Sequence, residues 1–159
     1  MIRRAPPLLL VVVLGLATGA ALGAPAAAAP DPVTITADQF VVDENQHVAT
    51  FTGQVVVTRT SLTVWAPEVV VHYAGGGPRD IKSFMAKGGV RIKTTDQDAK
   101  GDQAVYDPKT QILRLTGHVM VLNASGTVGS PDLVINLANN TSVFSGGTGG
   151  RVTGVFTPQ

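Results

Sequence analysis

The sequence contains no cysteine, few aromatic residues (5%) and no excess of either charge, with a formal net charge of +1. The absence of cysteine excludes disulfides, thiolate metal sites, a cysteine nucleophile and a lipid-modified cysteine anchor. The balanced charge argues against a nucleic-acid partner, because phosphate backbones are bound by concentrated basic surfaces. Lysine and arginine are scattered along the chain, with no run longer than the pair Arg3 and Arg4.

The sequence also lacks the common motifs of enzymes. No serine lies in a Gly-x-Ser-x-Gly elbow, and the segment Gly75–Gly77 is not followed by the lysine and hydroxyl residue of a phosphate-binding loop. The three histidines, His47, His72 and His118, have no metal-ligand spacing between them. We therefore expect no enzymatic activity, no metal site and no cofactor.

The N-terminus has the three parts of a secretory signal. Arg3 and Arg4 precede an apolar run from Leu8 to about Leu22, and small residues follow as far as Ala29. This pattern predicts a signal peptide over residues 1–28, cleaved between about 23 and 28, and a single exported domain over residues 29–159. A retained membrane anchor is the alternative, because the run extended through the alanines reaches the length of a spanning helix.

One strand pattern occurs three times in the chain. Residues 51–57, 86–92 and 115–121 each read apolar or small, polar, Gly, any residue, Val, any residue, Val or Ile. A period of two with one apolar set is typical of a strand that buries one face. The shared glycines, Gly53, Gly88 and Gly117, indicate a bend, a bulge or a close approach, and we expect them to leave space on the inner face.

A larger repeat relates two halves of the chain. A shift of 64 residues superposes Asp38 on Asp102 and Asp43 on Asp107, and holds its register without a gap as far as Val134. We expect these aspartates to make turn and strand-end hydrogen bonds rather than to form a catalytic pair. No amphipathic helix follows the signal, and repeated units must stack to bury their apolar faces. The fold class is therefore all-β, with two sheets closing over a common interior as in a jelly roll.

Together these segments resemble the LptA/OstA-like family of periplasmic lipopolysaccharide export proteins. The resemblance runs from Val33 to Pro158 and rests on Ile-x-Ala-Asp, Phe-Thr-Gly-x-Val-x-Val, Ala-x-Gly-x-Val, Tyr-Asp before Leu-Thr-Gly, and Arg-Val-Thr near the end. It implies a twisted, open β-jelly roll (OstA-like) of repeated antiparallel strands, whose apolar groove shields the acyl chains of lipopolysaccharide in the periplasm. It also implies end-to-end joining of copies, and joining with an inner-membrane-anchored LptC-like protein and with the N-terminal domain of the outer-membrane assembly protein LptD.

The resemblance and the strand parity together assign two sets of residues. The groove is expected to be lined by alternate apolar side chains: Val33, Ile35, Phe51, Val55, Val57, Val90, Ile92, Tyr106, Leu115, Val119 and Val121. The end-to-end interface is expected to form by strand addition at the first and last strands: Val33, Thr34, Ile35, Thr36, Ala37, and Arg151, Val152, Thr153, Gly154, Val155, Phe156.

Three alternatives stay open on the sequence. With a retained N-terminal helix, the chain would be a membrane-anchored LptC-like component of the same pathway. A detached N-terminal domain of the outer-membrane assembly protein would share the fold. A structural or adaptor β-domain would have a filled core and would bind no lipid.

Overall fold

Long antiparallel strands joined by tight turns make up the computed structural model, which describes residues 32–77 and 79–158. The strands of this part of the chain are β1 (Thr34–Thr36), β2 (Gln39–Asp43), β3 (Val48–Arg59), β4 (Leu62–Tyr73), β5 (Ile81–Thr94), β6 (Gln97–Asp107), β7 (Ile112–Asn123), β8 (Gly126–Asn136), β9 (Thr141–Ser145) and β10 (Thr153–Phe156). Across these residues, no helix has the length and apolar character needed to cross a membrane. The predicted signal peptide lies outside the described residues.

Consecutive strands from β3 to β8 pair antiparallel in one hydrogen-bonded sheet. At each end of the sheet, two short strands share one long neighbour. Strands β1 and β2 both pair with β3, whereas β9 and β10 both pair with β8. The all-β prediction is confirmed, with one difference. The two expected layers are halves of a single continuous sheet, because every long strand contributes to both.

Side-chain oxygens close the tight turns between strands. Asp43 Oδ1 accepts hydrogen bonds from the backbone N–H groups two and three residues further on, both at 3.0 Å. Asp107 Oδ1 accepts the equivalent pair at 2.8 and 3.3 Å, and the N–H of Lys109 lowers the pKa of Asp107 below its ordinary value. Asn123 and Asn136 make the same turn in the following hairpins. The predicted turn role of Asp43 and Asp107 is confirmed.

Irregular pairing crosses the long strands at one level of the sheet. The register shifts within these intervals: Thr52/Val55 on β3, Trp65/Glu68 on β4, Lys87/Val90 on β5, Lys100/Gln103 on β6 and Thr116/Val119 on β7. Because a bulge bends its strand and sharpens the local twist, bulges aligned across the strands fold the whole sheet along one line. We call these intervals the bulge row.

The repeated glycines adopt the left-handed backbone conformation that the bulges require. Gly53 and Gly117 have φ angles of +83° and +76°, and each following residue also lies in the left-handed region, at 45° and 47°. The expectation that these glycines leave space inside is wrong. A Cβ on Gly53 would lie 2.7 Å from the Cβ of Asp38, and one on Gly117 would lie 2.8 Å from the Cβ of Asp102. The left-handed backbone turns the missing Cβ toward an aspartate that fills the position: Asp38, between β1 and β2, or Asp102, in β6.

The bulge row divides the sheet into two leaves. The first leaf comprises β1, β10 and residues 55–59, 62–66, 90–94, 97–101, 119–123 and 126–130; the second comprises β2, β9 and residues 48–52, 68–73, 81–87, 103–107, 112–116 and 132–136. The leaves face each other, since Arg59 on β3 reaches Tyr106 on the non-adjacent β6, with 3.4 Å between Nη1 and the hydroxyl oxygen. The core between them is built around Val55, Leu115 and Leu133, all nearly inaccessible to solvent.

Candidate functional site: an apolar slot between the leaves

The space between the leaves is filled near the bulge row and open further from it. Next to the bulges, Val55, Val90 and Leu115 pack into the core. Toward the hairpin turns, the side chains leave a narrow slot of about 70 Å³. It is lined by Val33, Val57, Arg59, Leu62, Val64, Val69, Phe84, Ala86, Ile92, Ala104, Tyr106, Leu113 and Leu137. The interior therefore combines a packed base with an apolar slot.

The structure places the residues predicted for the groove in three positions. Four of them line the slot: Val33, Val57, Ile92 and Tyr106. Five lie deeper, in the packed core: Val55, Val90, Leu115, Val119 and Val121. The other two border the core near the N-terminal edge: Ile35, which packs against it, and Phe51, whose ring stacks on Phe40 with centroids 4.5 Å apart. All eleven lie on the core or the slot, and their contact with lipid stays a prediction.

The sequence reasoning missed most of the slot lining on β4, β5 and β6. The missed residues are Arg59, Leu62, Val64, Val69, Phe84, Ala86, Ala104, Leu113 and Leu137. Strand pairing is the signal that finds many of them. Val64 lies directly opposite both Val57 and Ile92, and residues opposite each other in a sheet share one face. Leu137 follows the end of β8 and belongs to a turn, where strand parity does not apply.

Charged side chains of the long strands pair on the outer faces of the leaves. Arg91 on β5 makes a bidentate hydrogen-bonded pair with Asp98 on β6, which lowers the pKa of Asp98 and raises that of Arg91. Arg114 pairs in the same way with Asp132, with 2.6 Å between Nη2 and Oδ2. Of the charged residues that the structure describes, Arg59 alone lines the slot. The slot is thus an apolar space with one cation.

The histidines lie apart from one another in the sheet. His118 Nδ1 lies 2.7 Å from Asp102 Oδ2, both largely exposed. His72 Nδ1 lies 3.5 Å from Ser83 Oγ, and the ring of His47 meets the edge of Tyr73 at 5.7 Å between centroids. Residues 32–77 and 79–158 contain no group of three or more histidine or acidic side chains placed to hold a metal ion.

The outermost strands leave backbone groups open at both ends of the first leaf. Strand β1 pairs with β3 alone, and β10 with β8 alone, among the described strands. The N–H of Thr157 donates to Ser125 O at 3.2 Å, and bonded pairs alternate along an antiparallel ladder. Thr153 and Val155 therefore bond to β8, while the backbone groups of Gly154 and Phe156 point away from the sheet.

Comparison with known proteins identifies the family. Residues 34–141 match the family described as LptA/(LptD N-terminal domain) LPS transport protein. A solved structure, "LptH, the LptA homologous periplasmic component of the conserved lipopolysaccharide transport device from Pseudomonas aeruginosa", superposes with a TM-score of 0.70 at 20% sequence identity, covering 80% of this chain and 96% of that one. No match to a curated protein was found. The structural likeness confirms the open β-jelly-roll fold, and the family match confirms the resemblance seen in the sequence. The chain belongs to the family of lipopolysaccharide transport proteins formed by LptA and the N-terminal domain of LptD.

Proposed function

We propose that the protein carries lipopolysaccharide through the periplasm, with acyl chains held in the slot between the leaves. The observation that supports this proposal is the lining of the slot, which is apolar apart from Arg59 and the hydroxyl of Tyr106. LptH, which has the same fold, is a periplasmic component of a lipopolysaccharide transport device. The family match and the apolar lining of the slot both support a ligand that is an amphiphile with long apolar chains.

The energetics favour acyl chains as the ligand. Removing one methylene group from water contributes about 0.8 kcal/mol, so a chain of eleven methylenes gains on the order of 9 kcal/mol before ordering costs. A volume of about 70 Å³ holds only a handful of water molecules, far less than a lipid with several chains. Loading therefore separates the leaves at the hairpin turns, while the packed core beside the bulge row holds them together.

The test is site-specific photo-crosslinking with neighbours on opposite faces of one strand as matched controls. A photoreactive residue at Val57 or Tyr106, both in the slot, should form an adduct with lipopolysaccharide in intact cells. The same residue at Thr58 or Val105, which point to the other face, should form little or none. Equal labelling at inward and outward positions would contradict the slot. Absence of any adduct would favour a structural or adaptor domain.

We propose that copies also join end to end, and join an LptC-like protein and the LptD N-terminal domain, by strand addition at β1 and β10. Phe156 carries a backbone N–H directed to the open edge, so Phe156→Pro removes a donor without breaking the ladder with β8. Phe156→Leu is the matched control, because it retains the donor. Sedimentation velocity over a range of concentrations should show association for the leucine variant and a monomer for the proline variant. Equal association of both would overturn joining through β10.

A further inference from the structure

The bulge row forms a second concave surface, on the outer face of the sheet. It is an open groove of about 730 Å³ that crosses β3, β4, β5 and β6, and we call it the outer groove. Among the described residues, its lining has no member in common with that of the slot. The outer groove is therefore a separate site.

One wall of the outer groove is a row of outward side chains. The row consists of lining residues that lie opposite one another on four consecutive strands: Val56, Trp65, Arg91 and Lys100. They share one face of the sheet, and it is the outer face, because Ile92, next to Arg91, lines the slot. With neighbouring strands about 4.8 Å apart, the row is about 14 Å long.

The floor of the outer groove is main chain that the bulges expose. Val55 and Val90 belong to its lining although they are buried in the core, so the groove reaches their backbone. Gly89, with a φ of +96°, has no side chain to fill the space, and a Cβ there would meet nothing within 4 Å. The bulge on β5 therefore leaves a gap that a ligand can enter.

The polar groups of the outer groove make it cationic. Arg91 and Lys100 are exposed cations, Gln54 adds an amide, and no acidic side chain of the described residues belongs to the lining. Asp98, outside the lining, forms the bidentate pair with Arg91. Lys100 makes no ion pair with a described residue. Its ammonium group is thus available to an anionic ligand.

Trp65 adds an aromatic surface beside these charges. The guanidinium carbon of Arg91 lies 5.6 Å from the centroid of its ring, and this cation–π contact helps to hold the indole in place. Trp65 nevertheless keeps 36% of its surface exposed. Because the faces of an indole are apolar and its N–H is a donor, the exposed part suits a ligand with both apolar and polar surfaces.

The direction of the outer groove favours a glycan over a peptide. A peptide that docks on a sheet adds as a strand to an open edge, but β3 to β6 are interior strands whose ladders are already paired. A ligand that lies across them meets side chains instead. A sugar ring has an apolar face for Trp65 and hydroxyls for Gln54, and a carboxylate on the ring supplies a charge-assisted partner for Lys100.

We propose that the outer groove binds an acidic glycan, with a sugar ring packed on Trp65 and a ring carboxylate bonded to Lys100. The glycan is a molecule separate from any lipid in the slot, because the sheet lies between the two sites. This site therefore stands apart from the proposed function, and neither depends on the other.

The test uses the fluorescence of Trp65, the single tryptophan of the chain, as a reporter on the groove. The protein is titrated at low ionic strength, because salt screens exposed charges. The probe is a hyaluronan tetrasaccharide, which alternates glucuronic acid with N-acetylglucosamine, and its neutral control is tetra-N-acetylchitotetraose. The acidic probe should change the emission of Trp65 and bind at least about tenfold more tightly than the neutral one, as expected for a hydrogen bond to a charged group.

Variants assign the binding to named side chains. Lys100→Gln should remove most of the preference for the acidic probe and leave the affinity for the neutral one unchanged. Lys93→Gln is the matched control, because Lys93 is an exposed cation on the same face of β5 as Arg91 but outside the lining; it should keep the preference. Trp65→Ala, followed by calorimetry, should weaken binding of both probes about threefold or more. Far-ultraviolet circular dichroism and a thermal melt of each variant separate loss of binding from loss of fold.

Each other outcome would overturn a stated part of the proposal. No change in emission and no heat of binding with either probe would overturn the site. Equal affinity for the two probes would overturn the selection of acidic glycans, and a preference that survives in Lys100→Gln would overturn the role of Lys100. An acetylated tetrapeptide with two glutamates should bind more weakly than the acidic probe. Equal or tighter binding of that peptide would assign the groove to acidic peptides and overturn the glycan.

Discussion

A methyl group added to a glycine of the bulge row should cost far more than its size suggests. Gly117 is the sharpest case, because its φ of +76° disfavours any L side chain and its missing Cβ faces the Asp102 side chain. In Gly117→Ala two penalties add. The left-handed backbone costs about 1–2 kcal/mol, and crowding against Asp102 adds about 1–3 kcal/mol. We expect the free energy of unfolding to fall by about 2–5 kcal/mol.

A second glycine provides the matched control. Gly129 lies in β8, has an ordinary φ, and a Cβ there would meet its nearest neighbour, Val119 O, at 3.8 Å. Gly129→Ala should therefore change the free energy of unfolding by less than about 1 kcal/mol in either direction. Comparing the two variants isolates the bulge conformation from the general effect of adding a methyl group to a strand.

Urea unfolding followed by far-ultraviolet circular dichroism measures both effects. The double variant Gly117→Ala/Asp102→Gly separates the two penalties, because it removes the Asp102 Cβ and carboxylate that crowd the new methyl group and retains the backbone strain. It should recover part of the lost stability and remain about 1–2 kcal/mol below Asp102→Gly alone. If Gly117→Ala were as stable as Gly129→Ala, the left-handed glycine would not be required, and the explanation of the bulge row would be wrong.

Four further outcomes follow from the same geometry. Leu115→Ala, in the core, should lower the free energy of unfolding by about 2–5 kcal/mol in urea, whereas Leu122→Ala, exposed on the outer face, should change it by less than about 0.5 kcal/mol. The lowered pKa of Asp107 means that its carboxylate stabilises the fold fully above the unfolded pKa, about 3.9, and loses that contribution as the pH falls through the folded value. Thermal melts of the wild-type protein should thus fall more steeply below about pH 4 than those of Asp107→Asn, and parallel curves would contradict the turn role of the charge. Trp65, beside Arg91 on the outer face, should keep its emission spectrum when lipid is added. Tyr106→Trp in a Trp65→Phe background should shift to the blue, and an unchanged spectrum would place the lipid elsewhere.

The period-two pattern predicted the strands because one buried face is a property of each strand alone. Val55, Val57, Val119 and Val121 alternate in the sequence and face inward in the structure. The turn aspartates were predictable for the same reason, since Asp43 bonds to residues only two and three positions away. Interactions between residues that are close in the sequence can therefore be predicted from the sequence pattern alone.

The features that depend on alignment between strands could not be predicted. Each glycine indicated a bulge in its own strand, but the bulge row exists because the shifts on neighbouring strands fall at the same level. The direction of a glycine's missing Cβ depends on φ. The alternation of apolar residues predicted that Gly53 faces the interior, but at its positive φ the Cβ position is directed at Asp38 instead. In the sequence, Arg59 follows the alternating residues Val55 and Val57 and looks like an ordinary polar residue at the end of a strand. Its contact with Tyr106 depends on how the two leaves face each other, which the sequence pattern does not show.

The same line of bulges separates the part of the interior that holds the fold from the part proposed to bind lipid. Beside the bulges, the leaves are close and their side chains fill the space, so Leu115 is fully buried. Away from them, the leaves are joined through the sheet only at the bulge row, and Arg59 and Tyr106 meet at a long 3.4 Å contact. If lipid loading widens the slot at the turns, this contact breaks and the apolar lining is exposed, while the hydrogen-bonded ladders and the packed core stay in place. Under the proposed function, a ligand whose chains cover the exposed lining offsets the cost of that opening. We therefore expect binding and separation of the leaves to be one coupled step.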